Sequence, residues 1–181
     1  RHDLIEKAST KEYAPTANEK AEIDVIVSRI DRICQAAHEA GTAVFIDAEE
    51  SWIQDAIDQW TFDMMLKYNK EKCIVFNTLQ MYRHDRLAFL QDCLALAKEH
   101  QVKYGIKLVR GAYMEKERAR AAEKGYPSPI QATKADTDKD YNEGLKIILE
   151  KICPYCKNKI NLIELNSDID NVHDFKKALG I

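Results

Sequence analysis

With 181 residues, 45% of them hydrophobic and 31% charged, the chain has the material for one sizeable core and predicts a single domain spanning residues 1–181. A net charge of −3, with Lys and Arg interspersed among Asp and Glu, gives no basic field and argues against a nucleic-acid partner. No apolar run approaches the roughly 18 residues of a membrane span, and the first residues carry no secretory pattern.

The first predicted helix starts at T-A-N-E, where Thr16 and Glu19 have capping-box spacing. Ile23, Ile26, Ile30, Ile33 and Ala37 then mark one apolar face, and Gly41 is the stop. "TAVFID" at 42–47 is a short apolar run of the kind that forms buried parallel strands. A helix over 51–69, a strand over 73–77, a helix over 85–100 and a strand over 104–109 follow. A further helix begins near Met114 and stops at Gly125, and another covers 138–152. Cys153 and Cys156 form a lone C-P-Y-C; zinc needs four ligands and no second pair exists, so a helix end at Pro154 is expected and no metal site. The five cysteines, an odd count, favour a reducing compartment over a disulfide scaffold. A last strand over 160–165 and a helix over 171–180 complete the pattern.

Strands recurring about every thirty residues with helices between them predict an α/β fold with a parallel sheet. A doubly wound sheet lacks its usual support here, because no G-x-G-x-x-G follows the first strand. A (βα)8 TIM-like barrel fits better, since polar residues gather at the C-terminal ends of the strands, where barrels carry their chemistry. A whole barrel takes about 250 residues, so about four βα units imply an incomplete one. The chain opens on Arg1, and a piece of a longer protein is expected.

Asp47 closes the first strand and points to the mouth of such a barrel, whereas Glu49 and Glu50 read as charges favoured by a helix N-terminus. Asn77 and Gln80 follow the second strand, and Gln80 could hydrogen-bond a flat heterocycle. Lys107 lies inside the third strand, where a cation needs an anion, an electron-rich cofactor or a water-filled mouth. Arg110, Gly111 and Ala112, followed by a helix N-terminus, suit a phosphorylated cofactor; the bland alternative for Arg110 is a salt bridge to Glu117 or Asp47. "EKERARAAEKG" reads as a solvated helix face with Glu115–Arg118 and Glu117–Arg120 pairs, and Trp52, Trp60, Phe62, Met64 and Met65 as packing.

"FIDAEESWIQDAID", "YNKEKCIVFNTLQMY", "KLVRGAYMEKERARAAEKGYPSPI" and "TDKDYN", in this order, resemble the proline dehydrogenase family, most closely over residues 20–150. The resemblance implies an FAD-dependent enzyme on a distorted (βα)8 barrel that oxidises L-proline to 1-pyrroline-5-carboxylate and gives its electrons to a quinone in the membrane. It assigns Asp47 to the active-site aspartate, Ile46 to a main-chain contact with the flavin and Gln80 to a hydrogen bond with it. Lys107 takes the position near the flavin's reactive edge where some members have Arg; Arg110, Gly111 and Ala112 wrap the cofactor, and Tyr113 stands at the substrate side. Members also carry a lysine on an early strand and adjacent arginines on a late helix that hold the proline carboxylate, and this sequence has neither. Near 161–169, where members show Thr or Ser followed by His and Asn, it reads "NLIELNSDID", with Asn166 and no histidine. The alternatives are a barrel enzyme forming a Schiff base at Lys107 and an inactive fragment or interaction domain. Likeness to bacterial single-function members suggests the bacterial cytoplasm, with the mitochondrial matrix as the alternative.

Overall fold

The computed structural model describes residues 1–151. The chain divides into two units, Arg1–Lys146 and Ile147–Ile181. The strand expected at 160–165, the helix expected at 171–180, Asn166 and the Cys153–Cys156 pair lie outside the described residues.

The first element, α1 (His2–Ala8), is not foreseen by the sequence, because its seven residues bury only Leu4 and give no periodic stripe. In α2 (Ala17–Ala40) the capping box forms as expected: the Glu19 N–H donates to Thr16 Oγ1 at 3.3 Å, and the Thr16 N–H donates to the Glu19 carboxylate at 3.0 Å. Gly41 ends it at φ 64°, a left-handed conformation that a side chain would strain. The expected apolar face needs one correction. Ile33 is 60% exposed, and the buried line runs through Cys34 and Ala37, one turn apart, with Val27 and Ile30 packed beside them.

Then come β1 (Val44–Ile46), α3 (Ser51–Tyr68), β2 (Val75–Gln80), α4 (Arg86–Glu99), β3 (Gly105–Val109), α5 (Met114–Lys124) and α6 (Lys134–Lys151). Strand β2 runs to residue 80 instead of ending at 77, so Asn77 and Gln80 lie on the strand. Helix α6 starts four residues before the expected 138, because Thr133 and Asp136 exchange side-chain and backbone hydrogen bonds at 3.1 and 3.2 Å, a second cap of the Thr16 kind.

The three strands form a parallel sheet in the order β1-β2-β3. Three of the four expected strands are thus present, and the fourth falls outside the described residues. Val44 pairs with Val75 and Ile46 with Asn77, and the alternation of side chains turns Val44, Ile46 and Val75 toward α2 and α3. There they join Cys34, Ala37, Met64, Met65, Tyr68 and Ile74. Fully buried side chains such as Met65 and Val75 contribute about 2 kcal/mol each to this core.

The opposite sheet face carries Phe45, Phe76 and Gly105 in one row. The two phenyl rings lie 4.9 Å apart. A Cβ at Gly105 would fall 2.3 Å from the Val75 carbonyl oxygen and 2.8 Å from the Phe76 ring, so only glycine lets β3 approach β2 this closely. At the N-terminal end of the sheet the buried Asn69 amide is fully used. It donates to the Val75 and Lys103 carbonyls, both at 2.8 Å, and accepts from the Ile74 and Val75 N–H groups at 2.9 and 2.8 Å.

Candidate active site

Parallel register decides which predicted residues meet. Thr78 is level with Lys107, and Asp47, one residue past the Ile46–Asn77 pair, comes level with both. Side chains on one face of a row are neighbours, and Lys107 Nζ donates to Asp47 Oδ1 at 2.8 Å. Asp47 remains 70% exposed and Lys107 29%, so the pair sits in an open mouth. Between them Thr78 Oγ1 donates to the Ile46 carbonyl at 2.9 Å, which ties the main chain of β1 to β2 at this point. The Ile46 side chain packs into the helix-side core.

Gln80 lies two residues beyond Thr78, about 7 Å further along the strand. It is 1% exposed, and its Nε2 donates to the Glu49 carbonyl at 2.6 Å, while its Oε1 is buried without a partner. A buried amide oxygen left without a donor costs about 1–3 kcal/mol, so this atom is open to a hydrogen-bond donor from outside the chain. Tyr113, just after β3, donates from its hydroxyl to Glu49 Oε2 at 2.6 Å. The Glu49 carboxylate, followed by burial, pushes the phenol up to about 12.

Asp47 and Lys107 thus come together, and so do Gln80 and Tyr113 through Glu49. Arg110 goes elsewhere. It lies over the Tyr141 ring, 4.4 Å from guanidinium carbon to ring centre, with Nε 3.5 Å from Asp138 Oδ1 and neither atom making a hydrogen bond. Its ionic neighbour is therefore Asp138 of α6, not Glu117 or Asp47. Gly111 and Ala112 are exposed, and a Cβ at Gly111 would meet only the Met114 side chain, at 3.4 Å.

Asn77 faces the helices instead. Its Nδ2 donates to Asp58 Oδ1 at 2.8 Å, and Asp58 also accepts from Gln54 Nε2 and Arg86 Nη1, each at 2.8 Å. Burial pushes the Asp58 carboxyl up despite the Arg86 charge beside it. This ion pair borders a cleft of about 670 Å³ whose lining includes Phe62, Arg83, Phe89 and Tyr104, on the helix side of the sheet and away from Lys107.

The charged stretch after Tyr113 is less solvated than expected. Glu117 is fully buried and accepts from the Ser51 N–H at 2.6 Å and the Ser51 hydroxyl at 2.7 Å. Arg120 pairs with Glu6 and lies 4.2 Å over the Trp52 ring, and Arg118 reaches the Gln131 carbonyl at 3.4 Å. Neither expected i,i+3 pair forms: Ser51 of α3 holds Glu117, Glu6 of α1 holds Arg120, and Arg118 turns to the Gln131 carbonyl. Glu50, 5% exposed, pairs with Lys116 and lies 3.6 Å from His2 Nε2. Burial opposes its charge, yet Lys116 holds its carboxyl below the usual range. Glu49 and Glu50 are thus partners of specific side chains rather than free charges at a helix end. The D-A-E-E string was the available signal, but it carries no information about which distant residue each acid meets.

The proline dehydrogenase family model matches residues 2–178, a wider span than the 20–150 expected from the motifs. Proline dehydrogenase 1, mitochondrial, from Homo sapiens is 35% identical over 173 residues, covering 93% of this chain and 29% of its own length. The protein of the same name from Drosophila melanogaster is 38% identical over 152 residues, or 81% of this chain and 22% of its own. The chain therefore spans less than a third of the length of these curated relatives. Proline utilization A from Bradyrhizobium japonicum, in its D778Y mutant, matches with a TM-score of 0.67 at 24% identity over 83% of this chain and 14% of that one. Proline utilization A from Bdellovibrio bacteriovorus, inactivated by N-propargylglycine, gives a TM-score of 0.66 at 22% identity over 70% and 13%. At these identities the two structures establish a shared fold.

Proposed function

The chain belongs to the proline dehydrogenase family, and on that premise we propose that it forms part of a (βα)8 barrel that binds FAD and oxidises L-proline to 1-pyrroline-5-carboxylate, with a quinone as final acceptor. The observation that carries this reading is the buried, unpaired Oε1 of Gln80, on the same sheet edge as the Lys107–Asp47 pair. That acceptor complements a ring N–H of an isoalloxazine, and the cation lies about two strand residues away. When bound, the flavin supplies the two-electron acceptor for oxidation of the proline C–N bond.

The chain's own residues prepare for that chemistry. Lys107 holds a fixed positive charge at the strand edge, where negative charge developing on an acceptor would be stabilised. Asp47 fixes the ammonium and faces the open mouth, placed to attract the cationic amine of an amino-acid substrate. The Ile46 main chain, pinned by Thr78, forms the floor beside it. Arg110, close to Asp138 yet not hydrogen-bonded to it, is a cation available to the phosphate portion of the cofactor, with Gly111 and Ala112 presenting exposed backbone next to it. Tyr113 walls the substrate side. An ammonium paired with a carboxylate is the opposite of the desolvated amine that Schiff-base chemistry needs, which supports the electrostatic role for Lys107. Because quinones reside in membranes, this function places the enzyme at a membrane surface, in the bacterial cytoplasm or in the mitochondrial matrix.

The test is optical. The full-length protein, purified with added FAD, should show a flavin spectrum that bleaches when L-proline is added without oxygen, and Lys107→Met should slow the bleaching at least about a hundredfold. A preparation that takes up no FAD, or whose flavin is unmoved by proline, overturns the proposal.

A further inference from the structure

Glu49 touches both halves of the site. Its carbonyl accepts from Gln80 Nε2 at 2.6 Å and its carboxylate accepts from the Tyr113 hydroxyl at 2.6 Å. Its own N–H donates to Gln54 Oε1 at 2.8 Å. Gln54 in turn donates to Asp58, which the buried Arg86 holds at 2.8 Å, so Glu49 is anchored through α3 to an ion pair on the far side of the sheet. We infer that Glu49 is a positioning residue that sets the Gln80 amide and the Tyr113 ring in register with each other.

The chemistry of each bond dictates an orientation. A peptide carbonyl only accepts, so the Gln80 amide must turn its NH2 to Glu49 and present Oε1, a pure acceptor, to whatever lies beyond. A carboxylate likewise only accepts, so the Tyr113 proton is committed to Glu49, and the phenol shows the site a ring and not a donor. The commitment is strong, since the phenol is held up at about 12. Asp47, two residues earlier on the same stretch, shares this anchored backbone. The inference rests on the reading of Gln80 as the cofactor side and Tyr113 as the substrate side.

Glu49→Gln keeps both backbone contacts and removes only the carboxylate. In the full-length holoenzyme it should raise the proline KM about tenfold, the effect of one charge-assisted hydrogen bond, with flavin content unchanged and kcat altered far less. Tyr113→Phe should give the same rise, and the double variant no more than either single change, because both remove one interaction. Independently of flavin and proline, 13C-tyrosine NMR should show the Tyr113 phenol titrating at a clearly lower pH in Glu49→Gln than in wild type, with burial and Glu50 keeping it above the ordinary value of about 10. A variant with lowered stability but unmoved KM and unmoved Tyr113 titration would leave Glu49 a structural residue and overturn the inference. If the wild-type holoenzyme ignores proline, the proposed function fails, while the titration still decides whether Glu49 controls Tyr113.

Discussion

Asp85 shows how a single carboxylate is held by its surroundings. Burial alone would raise it, but hydrogen bonds from Arg86 at 2.6 Å and Arg83 at 2.7 Å outweigh that and hold it at about 2. Its folded value lies below the unfolded one of about 3.9, so the stability it contributes is present above that pH and is lost as pH falls toward 2. Wild type should therefore be more stable to urea than Asp85→Asn at pH 6, and the gap should close between about pH 4 and pH 2. Residues of this kind differ in how far the sequence reveals them. Asp47, Lys107 and Gln80 stand out because polar groups at the ends of apolar runs are conspicuous. Glu49 does not, because its partners Gln80 and Tyr113 lie 31 and 64 positions away, and spacing carries no trace of them.

Helices and strands were legible where periodicity is strong. The capping box of α2, the apolar runs of β1 and β3, and the Gly41 and Gly125 stops of α2 and α5 all form where the sequence places them. Strand β2 was misjudged at its end because Asn77, Thr78 and Gln80 look like a loop, although the strand continues and buries each of them. What joins these elements is less visible. Asn69 looks like an ordinary helix-terminal residue, yet its side-chain hydrogen bonds tie the end of α3 to β2 and to the residues before β3. Asn69→Ala would strand the Val75 carbonyl and the Ile74 and Val75 N–H groups in a buried place. We expect a loss of about 3 kcal/mol in urea unfolding, against less than about 0.5 kcal/mol for an exposed control such as Glu71→Ala.

The parallel α/β architecture followed from the thirty-residue period alone, whereas placement of the site required the register between strands. Among the described residues no helix covers the sheet face that carries Phe45, which stays 45% exposed beside Phe76. Such a face should bind an apolar dye. Phe45→Ser should roughly halve the anilinonaphthalene sulfonate emission of the 181-residue chain, since one of two adjacent rings is removed. The acid that completes the start of α3 has a different consequence, one of timing. Ser51 receives its cap from Glu117, 66 residues later, while Glu50, the residue at the N-cap position, makes no side-chain cap bond. The cap on the first turn of α3 therefore forms only once α5 has docked, whereas the turn's own backbone bond from Ile53 to the Glu50 carbonyl is local. That long loop closure makes the junction a late, slow event in folding, even though the helix itself is local.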